Sequence, residues 1–235
     1  MISSILLAGG KSTRMGTDKA FLEFGQNQFI YRIARELLRV SDDLVVVIGR
    51  KDKSHFQQIF DELKLEGHDP SQVRLLNDNY TFENPLSGIL TGFESAKHEV
   101  AVVVACDMPL ISSNVLKSLR RQIEGFDCVV PIWEDYNIEP LCGVYNIKNS
   151  IEAAKLAIED GKVGPKHMVS YIQKVNYVPV SSLRLLDPNL ESLMNINYPR
   201  EYEELVLSLS RQREIATDQV SLEVRNEISE GTGHA

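Results

Sequence analysis

The sequence is poor in cysteine, has no long hydrophobic run and carries more acidic than basic residues. Its three cysteines occur singly, without a Cys-x-x-Cys pair, so neither a disulfide framework nor a zinc site of paired thiolates is expected. No apolar run approaches the roughly 18 residues that a membrane-spanning helix needs. The net charge of −8 argues against a surface that coats nucleic acid, because such surfaces are usually basic.

Other absences further narrow the class of protein to which the sequence can belong. The first residues lack the charged region and the small-residue cleavage site of a secretory leader. The five histidines are scattered along the chain, and none is paired for metal binding. We therefore expect a cytoplasmic protein with no membrane and no nucleic-acid partner. The sequence leaves open whether this protein is a monomer or a homo-oligomer.

The chain does contain enough apolar sequence for a sizeable core. Apolar residues make up 43% of the sequence, and its length of 235 residues fits one α/β domain or one domain with an appendage. Short apolar runs alternate with segments of helical periodicity, which predicts a three-layer α/β fold with a mostly parallel sheet. Residues 100–105 form the most apolar run and are expected at the centre of that sheet, whereas residues 175–180 are expected at its edge.

The apolar periodicity fades towards the C-terminus. Residues 1–207 are therefore predicted to form one domain, followed by a polar tail, residues 208–235, that is disordered. A helix that docks on a partner is the alternative for this tail.

A glycine-containing loop follows the first apolar run, residues 5–8. Gly9 and Gly10 allow the backbone to pass close to a ligand, and main-chain N–H groups at such a turn are suited to binding phosphate. The spacing matches neither a P-loop nor a dinucleotide-binding fingerprint. An ordinary strand-to-helix turn is the alternative to a phosphate-binding loop. The loop also carries three cations, of which the first is expected to be peripheral: Lys11, Arg14 and Lys19.

Two carboxylates follow other predicted strands. Asp78 comes after the run at residues 73–76, and Asp107 comes almost directly after the run at residues 100–105. The carboxyl ends of parallel strands meet at one edge of a sheet, so the glycine-containing loop and both carboxylates should share that edge. An unpaired carboxylate is costly to bury, so Asp107 either caps the following turn or binds a metal.

The first loop resembles the signature loop of the nucleotidyltransferases related to molybdenum cofactor guanylyltransferase, in the string Leu7-Ala8-Gly9-Gly10-x-Ser12-x-Arg14-Met15-Gly16-x-Asp18-Lys19. The tetrad Cys106-Asp107-Met108-Pro109 resembles the Cys-Asp-x-Pro of the same family. The resemblance extends over roughly residues 1 to 207. It implies a Rossmann-like nucleotidyltransferase fold, GTP and molybdopterin as substrates, and Mg²⁺ as cofactor.

The resemblance also implies roles for individual residues. Lys19, Arg14 and Asp107 would be catalytic, with Asp107 holding Mg²⁺ and the two cations reaching the triphosphate. Asn197 would support the metal or the acceptor phosphate, although a helix cap before Pro199 is an equal alternative. Nucleotide contacts are implied at Leu7, Ala8, Gly9, Gly10, Lys19, Asp78, Gly88 and Asp107.

The chain departs from the family pattern at three places. Glu139 precedes Pro-Leu where family members usually have Gln or His, and Tyr198 replaces a Thr. The segment Ile48-Gly49-Arg50 lacks an asparagine that one member type carries near guanine.

The implied reaction is transfer of GMP from GTP to molybdopterin with release of pyrophosphate. The alternatives are a cytidylyltransferase on the same cofactor, a transferase on another phosphorylated acceptor, and a non-catalytic nucleotide-binding regulatory protein.

Overall fold

The computed structural model of the chain describes residues 1–10, 12–65, 69–80 and 84–208. The strands are β1 (Ser3–Leu7), β2 (Glu23–Phe24), β3 (Asn27–Gln28), β4 (Asp43–Val47), β5 (Val73–Leu76), β6 (Val100–Ala105), β7 (Cys128–Ile132), β8 (Cys142–Asn146) and β9 (Val175–Pro179). The helices are α1 (Phe29–Leu38), α2 (Lys53–Leu65), α3 (Pro85–Ser95), α4 (Ser113–Arg120), α5 (Ile147–Glu159), α6 (Pro165–Ser170), α7 (Val180–Leu183) and α8 (199–208).

Seven of these strands form one mixed sheet in the order β5-β4-β1-β6-β8-β7-β9. The first four strands in this order are parallel, β8 is antiparallel to both of its neighbours, and β9 is parallel to β7. The predicted mostly parallel sheet is therefore confirmed, with β6 at its centre and β9 at its edge. The hairpin of β2 and β3 was not predicted, because two-residue strands carry no periodicity.

The core lies on both faces of the sheet, which confirms the three layers. Successive residues of a strand point to opposite faces. Leu6 thus packs into one core with α1, α2 and α4, and Ile5 packs into the other with α3, α5 and α6. Strands buried on both faces explain why the runs at 44–48 and 100–105 are continuously apolar.

Parts of the sequence prediction fall on residues that are not described. Lys11 lies outside the described residues, and so does the predicted tail apart from Ser208. The domain boundary after residue 207 stays a prediction. Within the described ranges, no helix combines the length and the apolar character needed to cross a bilayer.

A buried carboxylate fixes the amino ends of the central strands. Asp43, at the start of β4, is fully buried and accepts a hydrogen bond from Ser3 Oγ at 2.6 Å, from Arg74 Nη2 at 2.7 Å and from the Lys97 N–H at 2.9 Å. Burial alone would raise the pKa of Asp43, but the hydrogen bonds and the Arg74 charge lower it overall. These contacts connect β1, β4, β5 and the loop before β6 at the edge opposite the glycine-containing loop.

We predict that Asp43→Asn lowers the free energy of unfolding by about 2–4 kcal/mol at pH 7, because Arg74 loses its charged partner. The folded-state pKa of Asp43 is lowered, so its contribution is present above the unfolded pKa and is lost as the pH falls through the folded value. Urea unfolding of both proteins should therefore show a difference that shrinks below about pH 4. The matched control Asp42→Asn, at a half-exposed carboxylate, should change stability far less.

Candidate active site

The loops that follow the four parallel strands meet at one edge of the sheet, as the sequence predicts. The ends of β1, β4, β5 and β6 are adjacent, and main-chain hydrogen bonds continue beyond the strands to hold the loops together. These bonds run from Ala8 N to Val47 O (2.7 Å), from Cys106 N to Leu7 O (3.0 Å), from Ile48 N to Leu76 O (3.0 Å) and from Asp78 N to Gly49 O (2.8 Å).

The first loop and the loop after β4 are in backbone contact at two glycines. A Cβ atom added to Gly9 would lie 2.8 Å from Gly49 N, and one added to Gly49 would lie 3.0 Å from Gly9 Cα. Gly49 also has a φ of +65°, which favours glycine. Gly10 differs, because a Cβ there meets nothing within 4 Å. The first glycine is thus required by packing, and the second lies next to open space.

The loop is closed by Ser12 and leaves main-chain donors available. Ser12 has a φ of 47°; its carbonyl accepts a hydrogen bond from Met15 N at 3.0 Å, and its hydroxyl accepts one from Lys19 N at 3.2 Å. Among the residues that the structure describes, the N–H groups of Gly9 and Gly10 have no acceptor. Donors of this kind at a strand-to-helix turn fit phosphate oxygens.

Lys19 connects three distant parts of the chain. Its Nζ atom lies 2.6 Å from Asn197 Oδ1 and 3.6 Å from Asp107 Oδ2, and only 12% of its side-chain surface is exposed. Asp107 follows β6, whereas Asn197 lies in the segment that leads into α8. The structure therefore brings together the predicted cation, the predicted metal carboxylate and the predicted supporting asparagine.

The surroundings of Asp107 fit a divalent metal better than a helix or turn cap. Its Oδ1 atom is buried and has no hydrogen-bond partner within the described part of the chain. Burial raises the pKa of this carboxyl, although the Lys19 charge opposes the rise. The described residues contain no group of three or more His, Cys, Asp or Glu that could enclose a metal by themselves. A single carboxylate matches Mg²⁺, which also takes phosphate oxygens and water as ligands.

The Asn197 side chain binds Lys19, and among the described residues it accepts no hydrogen bond from a backbone N–H group of α8. The Glu201 carboxylate accepts hydrogen bonds from the backbone N–H groups of both Asn197 and Tyr198 and so caps α8. The backbone N–H of Asn197 is thus bonded to Glu201, while its side-chain oxygen accepts the hydrogen bond from Lys19. Glu201 was not singled out in the sequence, although its place in the first turn of a helix is a known capping signal.

Arg14 does not reach Lys19 or Asp107 directly in this structure. Its Nη1 atom donates a hydrogen bond to Tyr198 Oη at 3.2 Å, and its guanidinium carbon lies 5.5 Å from the centre of the Tyr198 ring. Tyr198 thus holds the loop arginine at the rim of the site.

The predicted nucleoside contacts lie at the same edge, but their side chains have protein partners. The Asp78 carboxylate accepts hydrogen bonds from the hydroxyls of Ser87 and Thr91 and fastens α3 to the end of β5. Gly88, on α3, faces Leu7, whose Cδ2 would lie 3.5 Å from an added Cβ. Both polar backbone groups of the buried Ala8 are also bonded within the protein. The structure places these residues but tests no nucleotide contact.

Lys51 is a residue of the site that the sequence did not reveal. Its Nζ atom donates a hydrogen bond to Ala8 O at 2.8 Å and lies 2.6 Å from Asp18 Oδ2. It thereby ties the loop after β4 to both ends of the glycine-containing loop. Its position just beyond β4, at the carboxyl edge of the sheet, is the signal that could have identified it.

Comparison with known sequences gives matches over most of the chain. A family model described as the MobA-like NTP transferase domain matches residues 4–174. A protein of Methanosarcina mazei named probable molybdenum cofactor guanylyltransferase is 34% identical over 205 residues, which are 87% of this chain and 89% of that protein. The molybdenum cofactor guanylyltransferase of Desulfosudis oleivorans is 31% identical over 215 residues, covering 90% of this chain and 98% of its own length.

Solved structures share the fold. Molybdopterin-guanine dinucleotide biosynthesis protein A from Archaeoglobus fulgidus aligns with a TM-score of 0.70 and 23% identity, over 89% of this chain and 100% of that one. The 4-diphosphocytidyl-2C-methyl-D-erythritolsynthase of Anaerococcus prevotii aligns with a TM-score of 0.66 and 15% identity, over 89% and 96% of the two chains. At these identities the likeness concerns the fold alone, and the predicted α/β nucleotidyltransferase fold is confirmed.

The two glycines of the loop should respond differently to the same substitution. Gly9→Ala is expected to lower the free energy of unfolding by about 1–3 kcal/mol, because the new Cβ forces the Gly49 backbone away. Gly10→Ala is the matched control and should change it by less than about 0.5 kcal/mol. Guanidinium denaturation monitored by circular dichroism measures both changes. Equal stability of the two variants would contradict the role given to the Gly9–Gly49 contact.

Proposed function

The chain belongs to the MobA-like NTP transferase family, and we propose that it acts as a molybdenum cofactor guanylyltransferase. In this reaction an oxygen of the terminal phosphate of molybdopterin forms a bond to the α-phosphorus of GTP. The bond from that phosphorus to the oxygen leading to the β-phosphate breaks, and pyrophosphate leaves. A cytoplasmic location remains part of this proposal.

The observation that supports the proposal most strongly is the position of Lys19. Its ammonium group lies between Asp107 and Asn197, at the sheet edge where the Gly9 and Gly10 N–H groups lack acceptors among the described residues. A triphosphate needs backbone donors, a cation and a metal carboxylate in one place. These three features converge here from segments that are far apart in the sequence.

In the proposed reaction each of these residues would have a distinct role. The N–H groups of the glycine-containing loop hold the phosphates, and Lys19 and Arg14 place positive charge beside them. Asp107 holds Mg²⁺, which when bound neutralises charge on the phosphate oxygens. Asn197 orients the Lys19 ammonium through its 2.6 Å hydrogen bond. Lys51 keeps the loop in place through Ala8 and Asp18.

Phosphoryl transfer of this type depends on positioning and charge neutralisation. The acceptor phosphate is already ionised at neutral pH, so no strong general base is required. Arg14 must leave Tyr198 or carry it along to approach a bound triphosphate, since its guanidinium now contacts that ring. We place the nucleoside beside Leu7, Asp78 and Gly88, at the adjoining ends of β1, β5 and α3.

Pyrophosphate release across the four nucleoside triphosphates tests the proposal. With Mg²⁺ and molybdopterin present, GTP should give release, and leaving out either molybdopterin or Mg²⁺ should remove it. Release with CTP in place of GTP would assign the chain to the cytidylyl alternative. Tight nucleotide binding without release, whatever the phosphorylated acceptor, would instead favour a regulatory protein.

Asp107→Asn and Lys19→Ala should each lower the rate of pyrophosphate release by at least ~100-fold, because each removes charge that the transition state needs. Asp107→Asn should be at least as stable as the wild type at neutral pH. The pKa of Asp107 is raised in the folded state, so folding disfavours the charged form, and a neutral amide removes that cost.

Thermal unfolding of the same preparations separates loss of catalysis from loss of fold. Glu152→Gln, at an exposed carboxylate on α5, is the matched control and should alter neither the rate nor the melting temperature. Near-normal rates in both Asp107→Asn and Lys19→Ala would contradict the assigned roles.

A further inference from the structure

An open polar cavity of about 690 Å³ lies beside the site, where β7 and β9 end. Its lining includes Trp133, Asn137, Glu139, Lys166 and Arg184. None of these residues takes part in the proposed handling of the triphosphate. The cavity therefore has no role in the nucleotide half of the site.

The cavity adjoins the catalytic residues through the segment before α8. The backbone N–H of Ile196 donates a hydrogen bond to Asp107 O at 2.8 Å, and the flanking Asn197 contacts Lys19. On the other side of Ile196, Asn195 interacts with Glu139 and helps to lower its pKa, while the charge of Asp107 acts to raise it. Asn195 and the charge of Asp107 thus both act on Glu139, which lines the cavity.

One wall of the cavity combines a flat ring with a carboxylate. Trp133 Nε1 donates a hydrogen bond to Glu139 Oε1 at 2.8 Å, which fixes the indole and the carboxylate relative to each other. Burial raises the pKa of Glu139, and the hydrogen bond from Trp133 and the charge of Lys166 oppose this. A carboxylate has about four acceptor positions, so Glu139 can accept further hydrogen bonds from a ligand.

The lining of the cavity also carries positive charge. Lys166, on α6, donates a hydrogen bond from Nζ to Asn137 Oδ1 at 3.0 Å, and Arg184 follows α7. A flat ring surface, an acceptor at one end and cations nearby suit a planar heterocycle that has adjacent N–H donors and an anionic substituent. The 2-amino-4-oxo edge of a pterin presents two such donors, its 2-amino group and its N3–H.

We propose that this cavity holds the pterin ring of the acceptor and that the Glu139 carboxylate accepts the hydrogen bonds of its 2-amino and N3–H groups. This inference rests on the proposed function, in which the acceptor is molybdopterin. Two parallel N–H···O bonds to one carboxylate are short and directional, as in pairs of carboxylate with guanidinium. Glu139 would then determine acceptor specificity at the position where the family usually has Gln or His.

The test compares pterin with lumazine, in which a 2-oxo group replaces the 2-amino group. Trp133 is the single tryptophan of the sequence, so quenching of its emission reports binding in this cavity. The wild type should bind pterin at least 10-fold more tightly than lumazine, because lumazine places an acceptor against the carboxylate. Glu139→Gln should remove this preference, since an amide offers one donor and one acceptor. Glu134→Gln, at an exposed carboxylate on the same cavity, should keep it.

The outcomes distinguish this inference from the proposed function. Equal affinity of the wild type for pterin and lumazine, or no quenching by pterin, would overturn the inference even if GTP and molybdopterin still yield pyrophosphate. A preference that survives in Glu139→Gln would also overturn the role of Glu139. Absence of pyrophosphate release by the wild type would count against the proposed function, but the pterin preference does not require turnover. The wild-type comparison also remains decisive if Glu139→Gln fails to fold.

Discussion

The Lys19 ammonium contacts both Asp107 and Asn197, and the site depends on these two contacts. They connect the first loop, the end of the central strand β6 and the segment before α8, across 88 and 178 positions of sequence. Because β1 and β6 are adjacent and parallel, their loops emerge side by side without special geometry. The third partner, Asn197, lies in a segment whose backbone N–H group is bonded to the Glu201 carboxylate at the start of α8.

The carboxylates at the two ends of the sheet differ in their hydrogen bonding and in the direction in which their pKa is shifted. Asp43 receives three hydrogen bonds, one of them from Arg74, and its pKa is lowered, so its charge stabilises the fold. Asp107 keeps an oxygen without a partner among the described residues, and burial raises its pKa. An acid that the fold leaves unsatisfied remains available to a ligand. The carboxylate at the amino ends of the strands thus stabilises the fold, whereas the one at the carboxyl ends keeps an oxygen available to a ligand.

The sequence predicted this edge because its signals are local and backbone-based. Continuous apolar runs identify buried parallel strands, and the position of Asp107 after such a run follows from chain order. The contact of Lys51 with Ala8 and Asp18 was not predictable in the same way, because it depends on how two loops fold towards each other. The antiparallel direction of β8 and the stacking of Arg14 on Tyr198 are likewise tertiary properties that no periodicity encodes.

The difference between backbone and side-chain recognition also explains why the first loop is a better guide to the family than to the acceptor. In the proposed function the phosphates bind main-chain N–H groups of the first loop, and the Gly9–Gly49 contact fixes the backbone there, so a larger residue at either glycine would move it. The cavity at Trp133 and Glu139 is formed by side chains at a loop and at helix ends, where substitution changes donors and acceptors but leaves the sheet intact. A fold of this kind can keep one nucleotide-binding loop while its acceptor changes, and residues such as Glu139 are where that change would be made.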